Sequence, residues 1–65
     1  MAEHPVRRAR HERKLTLEAL AEASGVHRIT VINIEQRRHV PSLDTLFKLA
    51  EALEVPPAEL MERPA

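Results

Sequence analysis

Ten Lys or Arg, ten Asp or Glu and four His carry the ionisable chemistry of this 65-residue chain, and it has no cysteine. Spacing decides what those groups can do. Two imidazoles share a metal ion when they stand about three to five residues apart on one element. No two of His4, His11, His27 and His39 do so. A thiolate site is excluded by composition. A phosphate-cradling loop needs several glycines, and the chain has one. No nucleophile stands in an evident set with a base and an orienting partner. The expectation is therefore recognition rather than turnover, with no catalytic residue, no metal and no cofactor.

Net charge is formally zero, but the charges are not evenly spread. Residues 1–39 carry eight Lys or Arg against five acids, +3, and residues 40–65 carry two against five, −3. Such asymmetry suggests one face for an anion and another for a different contact. The densest basic run is Arg37, Arg38 and His39, suited either to solvent or to phosphate. Arg7, Arg8 and Arg10 near the start are followed by no apolar run, so the segment is not a secretory leader. No stretch approaches the ~18 apolar residues of a membrane span. A cysteine-free chain fits a reducing cytoplasm.

Positioning these groups falls to about five short helices, with one domain over residues 1–65. Pro5 suits the first turn of a helix running to Lys14, with Val6, Ala9 and the stem of Arg10 or Arg13 facing inward. Thr16 caps a second helix, whose inner positions are Leu17, Leu20, Ala21 and Ser24. Gly25 closes it. Residues 29–34 are β-branched apart from Asn33, and propensity alone would make them a strand. No second strand is available to pair with it, so a third helix is expected from His27 to Gln36. Ser42 caps a fourth helix with the stripe Leu43, Leu46, Phe47, Leu49, Ala50 and Leu53. Pro56 and Pro57 break it before a last short helix ending at Met61.

Two short helices around a glycine turn, here about Thr16 to Gln36, form a helix-turn-helix signature. The stretch Leu17 to Glu35, followed by Pro41 to Val55, resembles the phage-repressor/Cro-like (XRE) helix-turn-helix family. Leu20, Ala21, Gly25, Val26, Glu35, Pro41, Ser42, Leu43, Leu46, Leu49, Ala50 and Leu53 fall where that pattern has them. The match covers about residues 6–60. It implies an all-α, lambda-repressor-like five-helix bundle that binds double-stranded DNA as a homodimer. The third helix would read a palindromic operator in the major groove. Small restriction-modification controllers and antitoxins are sub-cases of this family. The implied function is transcriptional regulation, most often repression.

Carried over by position, the base-reading residues become Arg28, Ile29, Thr30 and Asn33. Arg pairs with guanine and Asn with adenine through two hydrogen bonds, while Ile or a Thr methyl meets a thymine methyl. His27, Arg37, Arg38, His39 and Ser42 become phosphate or flanking contacts. Glu35 pairs with Arg10 as a structural ion pair. Three positions depart from the pattern: Leu17 replaces a glutamine, His27 a capping hydroxyl and Arg37 a glycine. The acidic C-terminal half is unsuited to DNA, so a dimer seam is expected around Val55, Leu60 and Met61. Zero net charge and the outward isoleucines Ile29 and Ile32 also admit an alternative, an antitoxin-like protein-interaction module without strong DNA binding.

Overall fold

The computed structural model describes residues 2–62. Four α-helices and one 3-10 helix follow one another: α1 (Pro5–Glu12), α2 (Leu17–Ser24), α3 (Arg28–Glu35), α4 (Leu43–Leu53) and the 3-10 helix Pro57–Leu60. No strand occurs among the described residues. The expected fifth α-helix is thus a single 3-10 turn. Glu59 N–H donates to Pro56 O at 3.0 Å and Met61 N–H to Ala58 O at 3.3 Å, both three residues back. Four residues opened by two prolines are too few to propagate α-helical bonds.

Side chains start each α-helix. Thr16 Oγ1 accepts from Ala19 N–H at 3.0 Å, and Ser42 Oγ accepts from Thr45 N–H at 3.2 Å. Imidazoles do the same work at α1 and α3. His4 Nδ1 accepts from Val6 N–H at 3.0 Å, and His27 Nδ1 from Ile29 N–H at 3.1 Å. An accepting Nδ1 carries no proton, so each of these rings is the Nε2–H tautomer.

Left-handed residues stop all four. Gly25 (φ 74) closes α2, where its N–H reaches Ala21 O at 2.9 Å. Lys14, Arg37 and Glu54 take the same conformation after α1, α3 and α4, with φ of 55, 60 and 58. At each, the following N–H reaches back five residues, as in Arg38 N–H to Asn33 O at 2.8 Å. That reach is a Schellman closure. It ends α1 at Glu12, two residues before the expected Lys14.

The core is Val6, Ala9, Leu20, Val26, Val31, Ile34, Leu46, Leu49, Ala50, Leu53 and Leu60, with Leu15, Leu17, Ala52 and Val55 packed around it. α4 lies against α2 and the 3-10 helix, α2 against α3, and α1 bridges α3 and the 3-10 helix. Val31 and Ile34 are fully buried, so packing overrides the strand propensity of α3. Two apolar residues expected in the core are exposed instead, Leu43 by 67% and Phe47 by 55%, and Ala21 and Ser24 of α2 are only half-buried. The α4 stripe is wider than the part of it this chain covers. Leu60, expected at a dimer seam, is 1% exposed and fills this chain's own core. Arg10, not Arg13, supplies the inward stem of α1.

Candidate nucleic-acid interface

α2 and α3 are joined by a turn with little freedom. Gly25 turns the chain, Ser24 Oγ accepts from Val26 N–H at 3.1 Å, and buried Val26 pins the turn to the core. His27 then caps α3, so the helix starts at a defined residue. With Val31 and Ile34 inward, the opposite face of α3 follows from helical spacing. Ile29, Ile32, Asn33 and Gln36 stand at i, i+3, i+4 and i+7 along it. Ile29 is 48% exposed, Gln36 is exposed, and Ile32 and Asn33 are half-buried. Arg28 and half-buried Thr30 flank that face on opposite sides. The Arg28 guanidinium stands 3.8 Å from Glu18 of α2.

The rear of α3 is locked to α1. Arg10 Nε donates to Glu35 Oε2 at 2.8 Å and Nη2 to Oε1 at 3.0 Å, a two-bond fork. Nη1 donates to Leu15 O at 2.9 Å, tying in the loop before α2. Both charged side chains are nearly buried. The hydrogen bonds to Glu35 raise the Arg10 pKa, so the guanidinium stays charged. In front of it lies a shallow cleft of about 200 Å³ lined by Arg7, Leu17, Ile32 and Gln36. Leu17, standing in place of a glutamine, presents only aliphatic surface there.

The expected phosphate contacts fare differently. Arg37 is turned away into a clasp. Its Nε lies 2.9 Å from Glu62 Oε2, and its Nη2 donates to Glu62 Oε2 at 2.6 Å and to Ala2 O at 2.7 Å. With that guanidinium engaged, Arg38 and His39 are the basic residues of the loop with no ion pair among the described residues. The Ser42 hydroxyl caps α4 and donates to Thr45 Oγ1 at 3.1 Å.

The chain matches the helix-turn-helix family over residues 6–60, nearly its whole length. It belongs to that family. This is a family of DNA-binding transcriptional regulators rather than of enzymes. The HTH-type transcriptional repressor RghR of Bacillus subtilis is 47% identical over 57 residues, 86% of this chain but 42% of the repressor. This chain therefore spans less than half of that relative's length. The control protein C.SmaI of Serratia marcescens is 38% identical over 89% of this chain and 69% of its own. Among solved structures, the restriction-modification controller protein C.AhdI of Aeromonas hydrophila superposes with a TM-score of 0.85. That pair shares 36% identity and covers 89% of this chain and 88% of the controller. No helix among the described residues is long and apolar enough to cross a membrane. No group of three His, Cys, Asp or Glu among them is placed to hold a metal.

Within this helix-turn-helix framework, two features escaped the sequence reading. Gln36 shares the outer face of α3, a placement its i+7 spacing from Ile29 signals. His4 had no role, and it proves to be a buried cap whose Nε2 stands 3.6 Å from Glu62. Burial lowers its pKa below 6.5, opposed by the Glu62 carboxylate. Between the folded value and 6.5 only the unfolded chain binds the proton. Stability is therefore complete above pH 6.5 and declines as pH falls below it. His4→Asn keeps a capping acceptor without the titration. Its melting temperature is expected to change less between pH 7.5 and 5.5 than that of the parent. Superimposable pH profiles of the two proteins would contradict this role.

Proposed function

We propose that this chain is a sequence-specific transcriptional repressor acting in the cytoplasm as a homodimer on a palindromic operator, with residues 1–65 as one helix-turn-helix domain. The observation that carries this reading is the outer face of α3. Ile29 and Gln36 on it are exposed and Ile32 and Asn33 half-buried, and it is mounted by the His27 cap and the Arg10–Glu35 fork and flanked by Arg28. In the major groove, Arg28 and Asn33 supply hydrogen bonds to purine edges, and Ile29 and Thr30 supply apolar contacts. Arg38, His39 and the imidazole edge of His27 lie against phosphates and set the register.

A dimer is favoured by the second face. Val40, Leu43, Phe47 and Met61 are each more than half exposed. Contiguous apolar surface on a domain this small marks a protein contact. Leu43 and Met61 also line a groove of about 320 Å³ together with Val40, Pro41, Leu46 and Leu60, and with the ionisable His4, Arg37, His39 and Glu62. Protruding side chains and a receiving groove on one face suit a two-fold partner, in which each copy fills the other's groove. The seam is therefore assigned to Val40, Leu43, Phe47 and Met61. Val55, half-buried beside the core, lies at most at its margin.

Selection of bound duplexes from a random pool tests the reading. A palindrome with half-site centres about 34–36 Å apart is the expected product. Recovery of no enriched sequence, with capture of a different protein on the apolar face, would instead make the chain an interaction module.

A further inference from the structure

The outer face of α3 sets two isoleucines among its hydrogen-bonding residues. Ile29, half exposed, and Ile32, half-buried, stand one turn apart on it, with Asn33 and Gln36 beside them. Neither isoleucine serves the core, which is complete with Val31 and Ile34 from this helix. Aliphatic side chains can recognise only apolar groups. The base edges of the major groove offer one, the 5-methyl of a pyrimidine. Residues three apart on a helix hold their Cβ atoms about 5–6 Å apart, against a stacking rise of about 3.4 Å per base pair. Two such side chains therefore span neighbouring or next-neighbouring pairs.

We propose that Ile29 and Ile32 form a methyl-reading couplet, so that specificity rests on the 5-methyl groups of two nearby pyrimidines in each half-site. This deepens the DNA-binding reading and rests on it. Arg28, to one side of the couplet, meets a guanine edge, and Asn33 an adenine edge. The couplet contributes apolar contact between them. Thymine is the ordinary carrier of the methyl and 5-methylcytosine the modified one, and both present it at the same ring position.

The test is fluorescence anisotropy on a duplex already shown to bind specifically. Each thymine of a half-site is replaced in turn by uracil, which removes the methyl and leaves every hydrogen-bonding group. In a second set each cytosine is replaced by 5-methylcytosine. Losing one buried methyl is expected to weaken binding about three- to tenfold at one or two thymines. Ile29→Ala is expected to lower affinity for the thymine duplex and bring the thymine-to-uracil ratio close to one. Circular dichroism confirms that this exposed-site variant folds. Tighter binding to 5-methylcytosine duplexes alone would support the couplet with modified DNA as its target. Uniform affinity across both sets, with specific binding otherwise intact, overturns the couplet but not DNA binding. Absence of any preferred duplex overturns both.

Discussion

Glu35→Ala is expected to destabilise the fold by about 3–5 kcal/mol, a large part of what a 65-residue domain possesses. The carboxylate accepts both bonds of the Arg10 fork, and both side chains are at most one-tenth exposed. Removing one partner strands the other charge in a nearly dry site. The fork also joins elements that are distant in sequence: α1, the loop at Leu15 and the end of α3. Its loss therefore loosens the mounting of the reading helix as well as the core. Arg10→Ala is expected to behave alike. The double replacement Arg10→Met with Glu35→Leu is expected to recover much of the stability, since no buried charge is left unpaired. Urea denaturation of the parent, the two Ala variants and the Arg10→Ala/Glu35→Ala double variant gives the coupling directly. Additive single losses would show that the two groups act independently.

Phe47→Glu is expected to leave the monomer folded and abolish the dimer. Phe47 is 55% exposed within its own chain, so a carboxylate there stays hydrated and changes folding stability by about 0.5 kcal/mol or less. Across a two-fold seam, however, the substitution would bury a charge against Leu43 or Met61 of the second copy. Sedimentation should then show a 7.4 kDa species at concentrations where the parent runs at twice that mass. Operator affinity should fall about 10²- to 10⁴-fold, because the second half-site no longer binds at the effective concentration set by the first. Binding to an isolated half-site should be little changed. A parent protein that is already monomeric, with operator affinity unaffected by Phe47→Glu, would remove this face from the mechanism.

The apolar face also shows where sequence reading ran out. Helical periodicity identified α4 and its stripe, and the caps at Thr16, Gly25 and Ser42 lie where hydroxyl and glycine chemistry puts them. Even α3 was legible against its own propensity, because a lone strand would leave backbone groups unpaired. Periodicity does not say what a stripe packs against. Leu43 and Phe47 read as core because they lie in register with Leu46 and Leu53, yet this chain leaves them open. Leu60 had the opposite fate, since its burial depends on a proline-bounded turn folding back beneath α1.

Site residues were legible where the partner is local or the pattern strong. The outer face of α3 follows from spacing alone. Arg37 looked like one more cation beside Arg38. Its engagement with Glu62 and the Ala2 carbonyl joins positions 25 and 35 residues apart, and no local signal announces such contacts. Histidine is also an uncommon helix cap, so the Nδ1 acceptor of His4 gave no warning in composition, whereas His27 was marked by standing in place of a capping hydroxyl.

Base reading by α3 is the proposed basis of specificity. It is tested most directly by titrating the protein against its selected duplex and a scrambled duplex at moderate salt. The parent protein is expected to prefer the selected duplex by about 10³-fold or more. Arg28→Ala or Asn33→Ala should reduce that preference about 5- to 150-fold at their own base positions while scrambled-duplex binding stays the same. Equal affinity for both duplexes, unchanged by either substitution, would contradict it.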